Sequence, residues 1–263
     1  MKILPKKSLG QNFLIDKKIL NQIAKLGEIN ENETVIEVGP GTGNLTEEIL
    51  KKKPKNFIVI EKDKNFIEIL KRKFDNKIEI INEDILKFSH DKFYNKPIII
   101  FGNLPYNIST QILINWIRIE NLENFCKKFI LLFQKEVADR IIANDNSKDY
   151  GRLSILSSWK MNIKKIMDIN PGSFFPTPNV KSSLLILEPK TNYYKLKNPK
   201  NLEHVTNVFF NQRRKMIKKP MKVIFKNFEE VANSLSLDLN LRPQNLSKLS
   251  FYKICSYYEK LLK

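Results

Sequence analysis

The densest chemical signal in the chain is Glu37-Val38-Gly39-Pro40-Gly41-Thr42-Gly43, which follows a short apolar run. Glycines there let the main chain approach a ligand, and the start of a following helix favours negative or polar groups. A plain tight turn would use glycines too. Glu61 weighs against that bland reading, because it ends the next apolar run, 22 positions after Gly39. Nucleoside-binding sheets place an acid there against the ribose hydroxyls. The spacing misses G-x-G-x-x-G, since Asn44 stands where the third glycine would fall. A mononucleoside cofactor is therefore favoured over a dinucleotide such as NAD. Asp84, after the third apolar run, either accepts from the adenine amino group of that cofactor or caps a short helix over 85–88.

Asn103-Leu104-Pro105-Tyr106 closes the fourth apolar run. It suits activation of an exocyclic aromatic amine, whose lone pair is delocalised into its ring. The Asn103 side-chain oxygen and the carbonyl of Leu104 or Pro105 can accept both N–H bonds, which holds the nitrogen toward sp³ geometry for in-line attack. Tyr106 offers a face on which a base stacks, and Pro105 stiffens the loop. The competing reading is an Asn–Pro turn with a buried tyrosine.

These residues need a scaffold that gathers strand ends. Helical spacing over 16–26 with Asp16 as N-cap, a strand over Thr34–Val38 and a helix over Leu45–Lys53 begin an alternation. Strands Phe57–Ile60, Ile78–Ile81 and Pro97–Phe101 continue it. Between them lie a helix Asn65–Phe74 capped by Asp63 and a helix started by Ser109 that carries Ile112, Leu113, Trp116 and Ile117. Near-continuous apolar strands are buried on both faces, which predicts a mostly parallel, Rossmann-like α/β sheet with helices on both faces. Phe129–Phe133 (strand), Lys135–Ala143 and Arg152–Met161 (helices) follow. Strands Ile163–Ile169 and Ser182–Glu188 then flank a Pro-rich turn. Beyond Pro189 only helices are expected: Leu202–Asn211, Met216–Phe225, Phe228–Leu235 and Phe251–Leu262. The spans predict an α/β domain over 1–190 and a small all-helical domain over 191–263.

Composition narrows the classes. The 263 residues are 42% hydrophobic and 28% charged, with only 8 Gly and 12 Pro, so wholesale disorder and low-complexity architectures are excluded. No apolar run is long enough to span a bilayer, and no secretory signal is expected from the first residues. Two cysteines, Cys126 and Cys255, predict neither a disulfide scaffold nor a zinc site, and fit a reducing cytoplasm. His90 and His204 lack metal-spaced partners, while Trp116 and Trp159 fit core packing. The net charge is +18, and residues 191–263 hold 15 Lys and Arg against 5 Asp and Glu. Arg213, Arg214, Lys215, Lys218, Lys219 and Lys222 fall within about three helical turns. Such crowding repels itself unless an anion relieves it, and a phosphate backbone is the natural one; a solvated helix face is the plainer alternative.

Six motifs in order resemble one family across residues 7–262. They are Gln11-Asn12-Phe13-Leu14, E-V-G-P-G-T-G at 37–43, Asn103–Tyr106, Phe174-Phe175-Pro176-x-Pro178-x-Val180, Phe210–Lys215 and Arg242-Pro243-x-Asn245-Leu246-Ser247. The pattern resembles the ribosomal RNA adenine N6,N6-dimethyltransferases, of the bacterial small-subunit type. The resemblance implies S-adenosylmethionine (SAM) as cofactor and methyl transfer to N6 of two adjacent adenines near the 3′ end of 16S rRNA. It implies an rRNA partner within an immature 30S particle, a monomer, a cytoplasmic location and no metal. By similarity Asn12 and Leu14 close over SAM, Gly39 and Gly41 approach it, Glu61 takes the ribose and Asp84 the adenine. Asn103 lies where cofactor and target meet. Phe174 stacks on a flipped adenine opposite Tyr106, because N6 is inaccessible inside a helix. The basic 213–222 segment grips rRNA. Asn179, where a Lys is frequent, and Met216, where Thr is common, depart from the family pattern.

Other classes compete less well. A resistance-type methyltransferase acting on one large-subunit adenine shares the cofactor motifs, but the two tail motifs belong to the small-subunit group. A mainly non-enzymatic assembly factor would not require an intact Asn103–Tyr106 and Glu61. A DNA adenine methyltransferase would need a target-recognition insert that the sequence lacks.

Overall fold

The computed structural model describes residues 12–90 and 97–262, which leaves Gln11 outside the described residues. The chain forms two compact units. The first joins the chain up to Ala138 with Asn162–Pro189, and the second joins Asp139–Met161 with Lys190–Lys263. One of the breaks between the units lies at 189/190. Residues 139–161 were expected in the first domain; they group instead with the helical tail.

In the first unit, strand β1 (Phe13–Leu14) precedes helix α1 (Lys17–Leu26), and the Asp16 carboxylate caps α1 by accepting from the Lys18 and Ile19 amides. The alternation then runs β2 (Thr34–Val38), α2 (Asn44–Leu50), β3 (Asn56–Glu61), α3 (Lys64–Phe74) and β4 (Glu79–Asn82). It continues through β5 (Ile98–Asn103), α4 (Ser109–Ile117), a short α5 (Leu122–Phe125), β6 (Cys126–Gln134) and α6 (Lys135–Ile142). Helix α7 (Arg152–Lys160) belongs to the second unit, and after it the first unit resumes with β7 (Met161–Ile169), β8 (Phe174–Phe175) and β9 (Ser182–Pro189).

Seven strands form one sheet in the order β4-β3-β2-β5-β6-β9-β7. β4, β3, β2, β5 and β6 run parallel, and β9 adds antiparallel to β6. Ile98, Ile99, Ile100 and Phe101 are all fully buried although alternate side chains face opposite ways, so both faces of the sheet are covered. The chain leaves β2 toward β3 on one side, and β5 pairs with β2 on the other. That reversal is the crevice where open α/β sheets bind ligands.

Two expectations fail locally. Ser109 does not cap α4, because its hydroxyl turns back to donate to the Tyr106 carbonyl at 3.2 Å. The Pro-rich turn is not featureless: β1 and β8 pair antiparallel, with Phe13 opposite Phe175 and Leu14 opposite Phe174.

The second unit packs α7 with α8 (Pro199–Phe210), α9 (Lys218–Ile224), α10 (Phe228–Ser234) and α11 (Lys248–Leu261). Its core is aromatic: Phe209 and Phe251 meet edge to face at 5.4 Å, and the buried Tyr150 hydroxyl donates to the Leu246 carbonyl at 3.0 Å. Helix α9 begins two residues later than the expected Met216, since the chain from Asn211 through Ile217 is non-helical. Glu259 on α11 is buried and accepts from the Lys197 and Asn198 amides and the Asn201 side-chain amide at 2.8–3.0 Å. Hydrogen bonds to a charged group contribute about 1.5–3 kcal/mol each, and orphaning them is costly. Glu259→Ala should therefore destabilise this unit by about 2–4 kcal/mol in urea denaturation, and Glu259→Gln by clearly less; equal, negligible losses would show that the carboxylate does not hold the start of α8.

Candidate active site

Parallel register builds the site. Val38 lies opposite Ile60 of β3 and Gly102 of β5, so the residues that follow these three positions emerge at one sheet edge. They are Gly39, Glu61 and Asn103. One cavity is lined by Asn12, Gly39, Gly41, Glu61 and Asp84 and, along the β5 exit, by Asn103, Leu104, Pro105 and Tyr106. Nine of the residues singled out from the sequence thus share a single space.

Gly39 and Gly41 both have left-handed φ, at 67° and 54°. A Cβ on Gly41 would collide with the Phe13 ring, so only glycine fits beneath it. Phe13 packs edge to face on Phe66 at 5.1 Å, and these two rings wall the cavity. Glu61 is 8% exposed; it accepts from the Asp63 amide at 2.8 Å and the Gly41 amide at 3.3 Å. Burial pushes its pKa up, and those amide bonds oppose the shift. Asp84 is held below the usual carboxylate range, chiefly by the Lys62 ammonium 2.8 Å away. Its other oxygen accepts from the Leu86 amide at 3.0 Å inside a turn over 85–87; the short helix expected there does not form, and the residue still faces the cavity.

The Asn103 side-chain nitrogen donates to the Asn12 main-chain carbonyl at 2.7 Å. Its amide orientation follows: with nitrogen engaged by the Asn12 carbonyl, Oδ1 is the atom left to accept from a ligand. Tyr106 is half-buried; its hydroxyl shares a 2.6 Å hydrogen bond with Ser182 Oγ. Burial raises its pKa, so it stays a neutral phenol.

Two expected positions lie elsewhere. Leu14 and Phe174 are 4% and 1% exposed and pack into the core cluster of the first unit. Neither lines this cavity. Phe174 therefore presents no free ring face for an adenine; in the register with β1, the exposed ring of that turn is Phe175, at 58%. Leu14 contributes its carbonyl instead, which accepts from the Asn44 side chain at 2.9 Å.

In the second unit, Arg214, Lys215, Lys218, Lys219 and Lys222 line an open groove together with Asn240 and Arg242. Arg213 does not join them. It is partly buried, its Nε donates to Gln244 Oε1 at 3.2 Å and a terminal nitrogen donates to the Lys148 carbonyl. Its charge is an internal strut. The sequence reading missed Arg242 as a groove cation, although it stands in the Arg-Pro motif, and missed the walls Phe13 and Phe66.

The cavity fits a nucleoside with a charged tail. Glu61 can accept ribose hydroxyls, Ile60, Ile85 and Leu86 offer an apolar bed for a base, and the left-handed glycines let backbone come close. A switch-point crevice with a glycine turn, a strand-end acid and a strand-end amide is the arrangement of a SAM-dependent methyltransferase. Comparison with known proteins narrows the class. Residues 4–260 match the family model described as ribosomal RNA adenine dimethylase. The chain belongs to that family. It is 54% identical over 261 residues, 99% of both chains, to the ribosomal RNA small subunit methyltransferase A of Pelagibacter ubique. A solved dimethyladenosine transferase from Plasmodium falciparum shares its fold with a TM-score of 0.78 at 25% identity, covering 94% of this chain and 98% of that one. The 23S rRNA methyltransferase ErmE shares it with 0.68 at 20%, covering 95% and 100%. The protein is a SAM-dependent enzyme that dimethylates rRNA adenine.

A buried acid behind the glycine turn yields a prediction. Glu37 is 2% exposed and accepts from Thr46 Oγ1 at 2.7 Å. Burial, opposed by that bond and assisted by Glu61, pushes its pKa up to about 8. The folded state then binds more protons than the unfolded one between roughly 4.5 and 8, so this group's contribution to stability falls as pH rises through that window. Glu37→Gln should flatten the decline: its Tm gain over the wild type should grow from pH 5 to pH 8. A gain independent of pH would mean that Glu37 is ionised throughout.

Proposed function

We propose that the enzyme methylates N6 of two adjacent adenines near the 3′ end of small-subunit rRNA, acting on an immature 30S particle in the cytoplasm as a monomer. The observation that carries this reading is the Asn103 amide, fixed by the Asn12 carbonyl so that Oδ1 is left to accept from an incoming amine. SAM, when bound, supplies a sulfonium-activated methyl group. This chain's residues do the rest. Glu61 holds the ribose and Gly39 and Gly41 admit the methionine end. Asn103 Oδ1 and the Leu104 or Pro105 carbonyl accept the two N–H bonds of the target amine, and Tyr106 gives the base a stacking face. The leaving group is intrinsically good, so orientation and exclusion of water are what the protein must add. The chemistry proposed is direct displacement, with no metal and no covalent enzyme intermediate.

The small-subunit assignment is supported by 54% identity to a small-subunit methyltransferase, against 20% to a large-subunit one whose likeness speaks for fold alone. Two buried free thiols, Cys126 and Cys255, fit a reducing compartment. Among the described residues no helix is long and apolar enough to cross a membrane.

Two outcomes follow. Asn103→Ala should keep SAM affinity within about threefold yet lower single-turnover transfer by about a hundredfold or more, since amine polarisation acts in the transition state; unimpaired transfer would remove Asn103 from the chemistry. Neutralising Arg214, Lys215 and Lys219 should weaken particle binding and flatten its log–log salt dependence by roughly 0.7–0.9 per lost contact. Arg213→Gln should leave that slope alone and lower stability instead. Equal slopes for triple variant and wild type would mean that the groove faces only water.

A further inference from the structure

We infer that Ser182 is a positioning residue that fixes the direction in which the Tyr106 ring extends at the cavity edge, ahead of the incoming base. The inference rests on the reading that Tyr106 stacks the target adenine. Tyr106 lies on the loop between β5 and α4, half-buried at the cavity edge, and its carbonyl is held by Ser109 Oγ. Those contacts fix where the residue begins, not the direction of its ring axis. The far end is fixed by Ser182, whose hydroxyl meets the phenol at 2.6 Å. Ser182 is fully buried at the first position of β9, opposite Gln134 of β6, so its own backbone is locked in the sheet. A side chain anchored at Cβ and at its hydroxyl cannot swing about its first torsion, and the half-buried packing of the ring limits rotation about its own axis. It is therefore pre-organised before a base arrives.

Ser182 also follows directly on the turn that carries Phe175 and Val180, so one residue ties that turn to the stacking ring. The neighbouring Ser183 provides an internal contrast. It is equally buried, yet its hydroxyl donates to Asp168 Oδ1 at 2.6 Å rather than to the Asn103–Tyr106 loop. Successive strand residues point to opposite faces, so the two hydroxyls serve different neighbours.

The test compares Ser182→Ala, Tyr106→Phe, their double variant, Ser183→Ala and Tyr106→Ala in single-turnover transfer to unmethylated small subunits at saturating SAM, with SAM Kd measured alongside. Ser182→Ala and Tyr106→Phe should each slow transfer five- to tenfold with Kd within twofold, and the double variant should be no slower than the slower single. Ser183→Ala should lower Tm but leave the rate unchanged. A Ser182→Ala rate equal to that of Ser183→Ala, or losses that multiply in the double variant, would overturn the inference. If Ser182→Ala fails to fold, Tyr106→Phe removes the same bond from the loop side, and a wild-type rate in it is equally fatal. Full activity in Tyr106→Ala would instead overturn the stacking reading itself, whereas a dead Tyr106→Ala beside a normal Ser182→Ala would sink only the role of Ser182.

Discussion

Val38 faces Ile60 on one side and Gly102 on the other, and the site depends on that register. Parallel pairing sends neighbouring strands out at the same edge, so a glycine turn, an acid and an amide from three separate segments converge without further constraint. A slip of one residue would turn the buried side chains of a strand to the opposite face. The fully buried run Ile98–Phe101 cannot slip without exposing its neighbours' surfaces, so the register that builds the core also builds the site.

A second, smaller pairing refines what the sheet provides. The ribbon of β1 with β8 buries Leu14 and Phe174 in the core and lays Phe13 over Gly41, where any larger residue would clash. The same leader segment gives the Asn12 carbonyl that fixes the Asn103 amide. Removing that carbonyl would leave the amide free to flip, presenting donors where acceptors are needed. The ring over Gly41 and the contact that orients the Asn103 amide therefore come from adjacent residues, Phe13 and Asn12.

Much of this was legible in the sequence where one residue type has one physical use. Thr34–Val38 is legible to the residue because a polar Asn-Glu stretch precedes it and a glycine turn follows, and Asp16 and Asp63 cap their helices as expected. Glu61 and Asn103 were legible because each ends an apolar strand. What failed depends on distant partners. Ser109 has the chemistry of a cap, but a tyrosine carbonyl three residues back captures its hydroxyl. Phe174 and Phe175 are chemically identical neighbours, and only pairing with a two-residue strand far upstream decides which ring is buried. Arg213 looks like its cationic neighbours; its acceptors, Gln244 and the Lys148 carbonyl, come from segments with no local signature. The grouping of 139–161 with the helical tail was hidden for the same reason.

The central claim is that this site delivers methyl groups to paired adenines of small-subunit rRNA. The most direct measurement is to incubate the protein with SAM carrying labelled methyl groups and small subunits lacking the modification, then map the rRNA by mass spectrometry. The account predicts N6,N6-dimethyladenine at two adjacent positions near the 3′ end and no label in large subunits. A single methylated adenine in large-subunit rRNA, or unmodified small-subunit rRNA under conditions where SAM binds, would contradict it.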